Sequence, residues 1–308
     1  MLFRSPPDIA SCAETDPDQM LTTFSLTETQ VKDALRRLDP TKAAGSDGIP
    51  TRLLQLVADE ISPCVSHLFQ ISLQTATFPS AWKEATISAC YKGKGNIHQA
   101  NNYRPISLLS VLSKVLERLV FNQLYRHVSK RLPLYQSGFR KRDSTEYQLV
   151  RIVHSLAKGL DEGKFVLTCY FDLSKAFDRV WHAGLVAKLR HIGIAGLAIE
   201  WLTNYLTDRK QRVRVDEATS DFLPVPAGVP QGSVLGPLLF LVYTHDLPSA
   251  LNGATTCNQF ADDTALTSCK DSRVMAVSDL QESVDGTGDW LAKWRLSEIG
   301  RASCRERV

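Results

Sequence analysis

The sequence predicts an α+β fold, built as one large globular unit or two packed lobes, and three observations carry that prediction. Strand-like segments are interleaved with helical ones, yet few pairs of strands are spaced for a parallel crossover. Apolar residues recur at spacings of three and four in the amino-terminal half, and the period shifts towards two from Phe165 onward. The 308 residues are 44% hydrophobic and 22% charged, enough apolar material for a sizeable core and a composition that excludes general disorder.

Taken in order, the elements follow from local chemistry. Residues 1–23 are rich in Pro and Asp and are expected to be poorly ordered. TETQVKDALRRLDP predicts a short helix capped by Thr27 with Gln30 three residues on, ending before Pro40. After the loop TKAAGSDGIP, the stretch from Thr51 to Pro79 predicts two packing helices. WKEATISACYKGKG alternates like a strand and ends in a Gly/Lys turn, and LLSVLSKVLERLVFNQLYRHVSKRL predicts a strong amphipathic helix. FVLTCYFDL reads as a buried strand, followed by helices at about 175–191 and 198–206, then strands in QRVRV and FLPVPAGV. A helix is predicted from Val234, a hairpin in NQFADDTALTSC, and a last amphipathic segment ending at Trp294. The tail EIGRASCRERV, residues 298–308, breaks that pattern and back-translates into a sequencing-library adapter; it is expected to be non-native, with the natural chain continuing past Ser297.

Charge is unevenly spread. The net charge is only +3, but between Trp82 and Arg142 twelve Lys and Arg stand against two acids, Glu84 and Glu117, so the rest of the chain is net acidic. A basic lobe facing a polyanion and a solvated basic surface both fit this asymmetry. The seven cysteines (Cys12, Cys64, Cys90, Cys169, Cys257, Cys269 and Cys304) occur singly, with no CxxC pair and no zinc-like spacing, which points to reduced thiols in an intracellular protein, nuclear or cytoplasmic. The amino terminus has no signal-peptide apolar stretch, and the longest apolar run, around 234–243, is too short for a bilayer. No membrane role is expected.

Three features carry chemistry. Asp262 and Asp263 are adjacent carboxylates where an apolar strand should turn; in a partly dry site such a pair needs a cation, and on the surface it is a solvated turn. Asp172 ends the apolar run FVLTCYF, so its carboxylate sits at the tip of a rigid element, either as a helix cap or as a partner to that pair. Three carboxylates on two strand ends suit two Mg²⁺ ions roughly 3.5–4 Å apart, with Mn²⁺ as a substitute, one ion activating a hydroxyl and the other neutralising a triphosphate. In AGVPQGSVLGPLLF, Gly228, Gly232 and Gly236 punctuate a loop leading into a helix, a pattern that serves a close ligand approach with helix N–H groups offered to an anion, or simply a tight turn.

These residues also carry a resemblance. YFDLSKAFDRVWH, AGVPQGSVLGPLLFLVY and QFADDTAL resemble palm motifs A, B and C of reverse transcriptases, in order. LDPTKAAGSDGIP resembles the extra amino-terminal motif of non-LTR and group II intron enzymes, NNYRPISLLSVLSKVLERLV and YQSGFRKRDST resemble fingers motifs, and WLTNYLTDRKQRVRV is similar to the spacer between motifs A and B. The match runs from about residue 24 to 297, and its wording closely resembles the jockey-like and related LINE clades.

The resemblance implies a right-hand polymerase, with an amino-terminal extension and fingers over 24–164 and a ferredoxin-like palm sheet with packed helices over 165–297. It implies that Asp172 and Asp262 ligate both metals with Asp263 as third carboxylate, and that Phe177 is the steric gate excluding a ribose 2′-hydroxyl. Gln231 and Gly232 would line the base and sugar of the incoming nucleotide, and Arg104, with Lys92 a weaker candidate, would grip its triphosphate. Gly138, Phe139 and Arg140 match a template-path motif, with Lys141 and Arg142 beside it; Asp178 is expected to be structural. The partners implied are an RNA template, a DNA primer and deoxynucleoside triphosphates. After WLAKWRLS the family continues with an Asn…Lys motif, a primer grip and a helical thumb, none of which follows here, so a fragment of weak processivity is expected. An RNA-dependent RNA polymerase shares the carboxylates but not an aromatic gate at Phe177. A decayed or truncated nucleic-acid-binding module without catalysis is the alternative from another class.

Overall fold

The computed structural model describes residues 19–297 and, for backbone alone, Arg305–Glu306. Nine α-helices are described: α1 Glu28–Arg36, α2 Thr51–Leu56, α3 Ala58–Gln74, α4 Val111–Val128, α5 Thr145–Asp161, α6 His182–His191, α7 Gly196–Leu206, α8 Gly236–Thr244 and α9 Arg273–Lys293. The strands are β1 Glu84–Tyr91, β2 Tyr103–Leu108, β3 Phe165–Phe171, β4 Lys210–Val215, β5 Ala218–Thr219, β6 Leu223–Pro224, β7 Thr255–Phe260, β8 Asp263–Lys270 and β9 Arg305–Glu306. The α+β expectation holds. Two compact units emerge, each discontinuous in sequence: Met1–Lys130 with His182–Leu238, and Arg131–Trp181 with Leu239–Val308. That division differs from the expected boundary at residue 164, because the strand-end segments at 131–181 pack with the carboxy-terminal hairpin rather than with their sequence neighbours.

The first unit holds α1–α4, α6, α7 and a mixed sheet ordered β2-β1-β4-β5, with β6 also pairing β4. β1 runs antiparallel to β2 and parallel to β4. α1 starts with the expected capping box: Gln30 N–H donates to Thr27 Oγ1, and Thr27 N–H to Gln30 Oε1. Residues 21–22, expected to be loose, are pinned instead, with Leu21 N–H donating to Gly193 O and Leu21 O accepting from Ala195 N–H; the rest of that segment before residue 19 lies outside the described residues. The core centres on Phe78, whose ring lies 5.0 Å from Tyr205, 5.4 Å from Trp201 and 5.8 Å from Trp82, all edge-on. Trp201 Nε1 donates to Ser72 Oγ at 3.0 Å, so the indole is buried without an unmet donor. The basic segment is not all surface: Lys83 is buried and Lys114 half-buried, and burial pushes both ammonium groups below the ordinary lysine range.

The second unit is a four-stranded antiparallel sheet, β7-β8-β3-β9, with α9 and α5 packed on it. Its core is made by Cys169, Phe171, Cys257, Leu266 and Leu280. β3 is the buried strand expected through its centre, with Thr168, Cys169 and Phe171 buried, while Phe165 and Tyr170 are exposed. The tail expected to be non-native lies outside the described residues except for Arg305–Glu306, whose backbone pairs with Thr168 and Leu167 at the sheet edge. Cys64, Cys90, Cys169, Cys257 and Cys269 form no disulfide among the described residues, and burial pushes the Cys257 thiol up to about 12. Among the described residues no helix is long and apolar enough to cross a membrane.

Phe78 is 1% exposed and touches three other rings, so Phe78→Ala opens a cavity that the rigid indoles beside it cannot fill. A loss of roughly 3–5 kcal/mol in urea unfolding is expected, and a loss below that of an average surface substitution would refute the packing described.

Candidate active site

In the second unit the sheet itself brings the carboxylates together. β3 pairs β8 with Phe171 opposite Thr264, so one further step in that register sets Asp172 opposite Asp263. The β7–β8 hairpin closes through two residues, Ala261 and Asp262, with Phe260 paired to Asp263. Asp172 and Asp263 are exposed and Asp262 is half-buried. Burial pushes the Asp262 carboxyl above the usual carboxylate range; its own backbone N–H opposes this, while the charges of Asp263 and Asp172 add to it. Asp263 is raised by burial and then by Asp172. Hard oxygen donors that repel one another fit a divalent cation of the magnesium type. Among the described residues no group of three His, Cys, Asp or Glu side chains is drawn into a coordination cluster.

No α-helix follows Asp172, so it does not act as a helix cap. Lys175 adopts a left-handed φ of 49°, a 3-10 turn spans Ala176–Arg179, and α6 begins only at His182, where a continuous helix over 175–191 was expected. Phe177 sits on that turn, half-buried, stacked on Phe240 with centroids 4.6 Å apart and edge-on to Phe139 at 6.0 Å. It is a ring held in a fixed place at the edge of the acidic turn's own unit rather than a core aromatic.

Gly138 is buried against the hairpin: a Cβ added there would lie 2.2 Å from Ala261 N, so only glycine permits this approach. Phe139, at φ 58°, is half-exposed. Arg140 donates from Nη1 to the carbonyls of Pro133 at 2.5 Å and Gln136 at 3.4 Å, tying down its own loop, while Lys141 and Arg142 are exposed. Gln136 was not singled out in the sequence; its buried amide contacts Ala261 and Gly138.

In the first unit, Arg104 lies exposed on β2, opposite Cys90 of β1. Lys92, just past that hairpin ladder, donates from Nζ to Asn101 O at 2.8 Å. The glycine loop runs along the same strand: Ser107 N–H donates to Gln231 O at 2.7 Å, and Gly232 has φ +112° with room for a Cβ closed off by Ser107 O at 2.9 Å. Gln231, Gly232, Arg104 and Lys92 are therefore gathered around one hairpin. The expected free N–H groups at the start of α8 are already taken. Glu117, wholly buried on α4, accepts from Val234 N–H at 2.8 Å, Leu235 N–H at 3.2 Å, Tyr205 Oη at 3.3 Å and Ser113 Oγ at 2.9 Å. The anion at that helix start is the chain's own. Sequence reading missed Glu117, although an acid on the apolar side of an amphipathic helix was a visible signal.

A family profile described as reverse transcriptase (RNA-dependent DNA polymerase) matches residues 92–297. The chain is 34% identical over 289 residues to the RNA-directed DNA polymerase from mobile element jockey of Drosophila melanogaster, covering 91% of this chain and 31% of that protein. It is 32% identical over 304 residues to the Drosophila funebris counterpart, 96% of this chain and 33% of that protein. A probable RNA-directed DNA polymerase from transposon BS of Drosophila melanogaster is 34% identical over 275 residues, 87% of this chain and 30% of that protein. The chain thus spans about a third of the length of these relatives.

Because Asp262 is raised in the folded state, its ionised form opposes folding at neutral pH, and that penalty vanishes as pH falls and the carboxyl is protonated. Asp262→Asn is expected to raise the thermal midpoint at pH 7 and to leave it unchanged at pH 3. An equal gain at both pH values would contradict the electrostatic origin.

Proposed function

The chain belongs to the reverse transcriptase (RNA-dependent DNA polymerase) family, and from that premise we propose that it joins deoxynucleotides to the 3′-hydroxyl of a DNA primer on an RNA template. One observation supports this reading: the β3–β8 register brings the end of β3, which Asp172 follows, to the start of β8 at Asp263, beside Asp262 in the hairpin turn, where burial and then the neighbouring charges raise Asp262 and Asp263. Asp172 and Asp262 are the residues assigned to hold two magnesium ions, with Asp263 as the third carboxylate. Bound there, the ions supply Lewis-acid stabilisation of the entering hydroxyl oxygen and of the departing pyrophosphate.

The chain's own residues do the rest. In the transfer, the primer oxygen bonds to the α-phosphorus, the α–β phosphoanhydride bond breaks, pyrophosphate leaves and the hydroxyl proton passes to solvent. Phe177, fixed by Phe139 and Phe240, presents a rigid edge against a 2′-hydroxyl. Arg104 suits a triphosphate because its planar guanidinium pairs with phosphate oxygens two at a time, and Lys92 adds charge although its ammonium is partly spent on Asn101 O. Gln231 and Gly232 are assigned to the base and sugar. Phe139, Lys141 and Arg142 are the exposed members of the template-path motif; Gly138 and Arg140 serve it by shaping the loop. Residues 165–297, with β3 and the β7–β8 hairpin, are assigned as palm, and residues 24–164, with the β1–β2 hairpin, as amino-terminal extension and fingers.

The alternative from another class is a truncated module that binds nucleic acid without catalysis. Single-nucleotide extension of a DNA primer on an RNA template separates the two. Deoxynucleotide addition that drops by roughly three orders of magnitude in Asp262→Ala is expected, the scale of several kcal/mol of lost metal stabilisation; template binding with no addition by the unaltered chain selects the second reading. In the same assay Phe177→Val is expected to admit ribonucleotides, and unchanged discrimination removes the gate assignment.

A further inference from the structure

The hairpin that carries Asp262 makes a backbone demand that its own sequence does not meet. Ala261 is the first of the two residues closing β7 to β8, and it adopts φ 57°. Two-residue hairpins need positive φ at that position and normally meet the need with glycine, because a Cβ crowds the following peptide there. Ala261 is held in this conformation from outside the hairpin.

Gln136 supplies the hold. Its Oε1 accepts from Ala261 N–H at 3.0 Å and from Gly138 N–H at 2.9 Å, and its Nε2 donates to Ala261 O at 3.3 Å. Both backbone polar groups of Ala261 are thereby occupied by one side chain that is 2% exposed. The flanking backbone is stitched to the end of β7 as well: Ser137 N–H donates to Gln259 O and Gln259 N–H to Tyr135 O, each at 2.9 Å. Gly138 completes the fit by its lack of a Cβ. The task at position 136 calls for an acceptor that takes two N–H groups and a donor for one carbonyl on the same planar group, at the reach of a glutamine. Ionised Glu offers only acceptors and brings a further negative charge towards the acids, Met offers neither, and Asn is one methylene short.

We infer that Gln136 is a positioning residue: by fixing the Ala261 peptide groups it sets the direction in which Asp262 and Asp263 leave the hairpin. The inference rests on the nucleotidyl-transfer reading and adds to it a residue that touches neither metal nor nucleotide. Such supporting contacts around ligating groups characteristically alter metal affinity about 10–100-fold. Gln148 provides a matched control. It is also buried, accepts from Ser137 Oγ at 2.7 Å and donates to Tyr135 O, but no contact joins it to Ala261.

The test is Mn²⁺ titration of the full 308-residue chain, read from the electron paramagnetic resonance signal of the unbound ion, with thermal unfolding recorded for each variant. Asp262→Ala should abolish tight binding. Gln136→Met should weaken it at least about tenfold while unfolding remains cooperative, and Gln148→Met should bind as the unaltered chain does despite a comparable loss of stability. Equal weakening by both Met variants, or unaltered binding by Gln136→Met, overturns the positioning role while leaving the metal site intact. An unaltered chain that does not bind Mn²⁺, or binding indifferent to Asp262→Ala, overturns the nucleotidyl-transfer reading and this inference with it. Should Gln136→Met fail to fold, amide exchange in the unaltered chain decides: protection at Ala261 N–H supports the clamp, and exchange at the rate of an open turn overturns it.

Discussion

Antiparallel pairing of β3 with β8 is the interaction on which the acidic site depends, and it works against the charges it assembles. The two strands are separated by some ninety residues of chain, yet seven consecutive positions pair, from Phe165 with Lys270 to Phe171 with Thr264. Each cross-strand contact contributes about 0.2–1 kcal/mol, and alternate residues of both strands, among them Cys169, Phe171 and Leu266, enter one core. That sum holds three carboxylates where burial first, and the neighbouring charges second, raise Asp262 and Asp263 above their ordinary range. The repulsion is localised at the last rung, where the sheet ends and solvent begins, so it is tolerated without loosening the strands behind it.

What sequence made legible was short in range. Asp172 at a strand tip and the Asp262–Asp263 turn follow from alternation and from an apolar run ending in a charge, patterns that need no knowledge of partners. The cap on α1 is equally local. The failures share a different cause. α5 went unrecognised although Leu149, Val153, Leu156 and Leu160 recur at helical spacing; in the fold Leu149, Val153 and Leu160 on that face are exposed, as are Tyr147 and Val150. β2 contains Pro105, which argues against a strand, and it survives as one because it lies at the sheet edge, where a missing N–H goes unclaimed. The helix expected over 175–191 breaks because Lys175 takes a left-handed conformation that no local residue preference announces.

The site's supporting side chains were the least legible. Gln136 and Glu117 both look like ordinary polar members of their segments, and much of their significance arises from backbone groups more than a hundred residues away. Conversely, Gly138 and Arg140, matched by resemblance to a template path, turn out to be occupied with the hairpin and with their own loop.

Glu117 has a consequence for how this chain varies over time. A wholly buried carboxylate with four donors from α4, α7 and the lead-in to α8 is stable only as a complete set, since losing one donor leaves the charge short and losing the charge strands the donors. Positions 113, 117 and 205 are therefore locked against independent drift: lineages can keep the whole ensemble or exchange it in concert for an apolar one, and intermediates are selected against for folding before any effect on chemistry is felt.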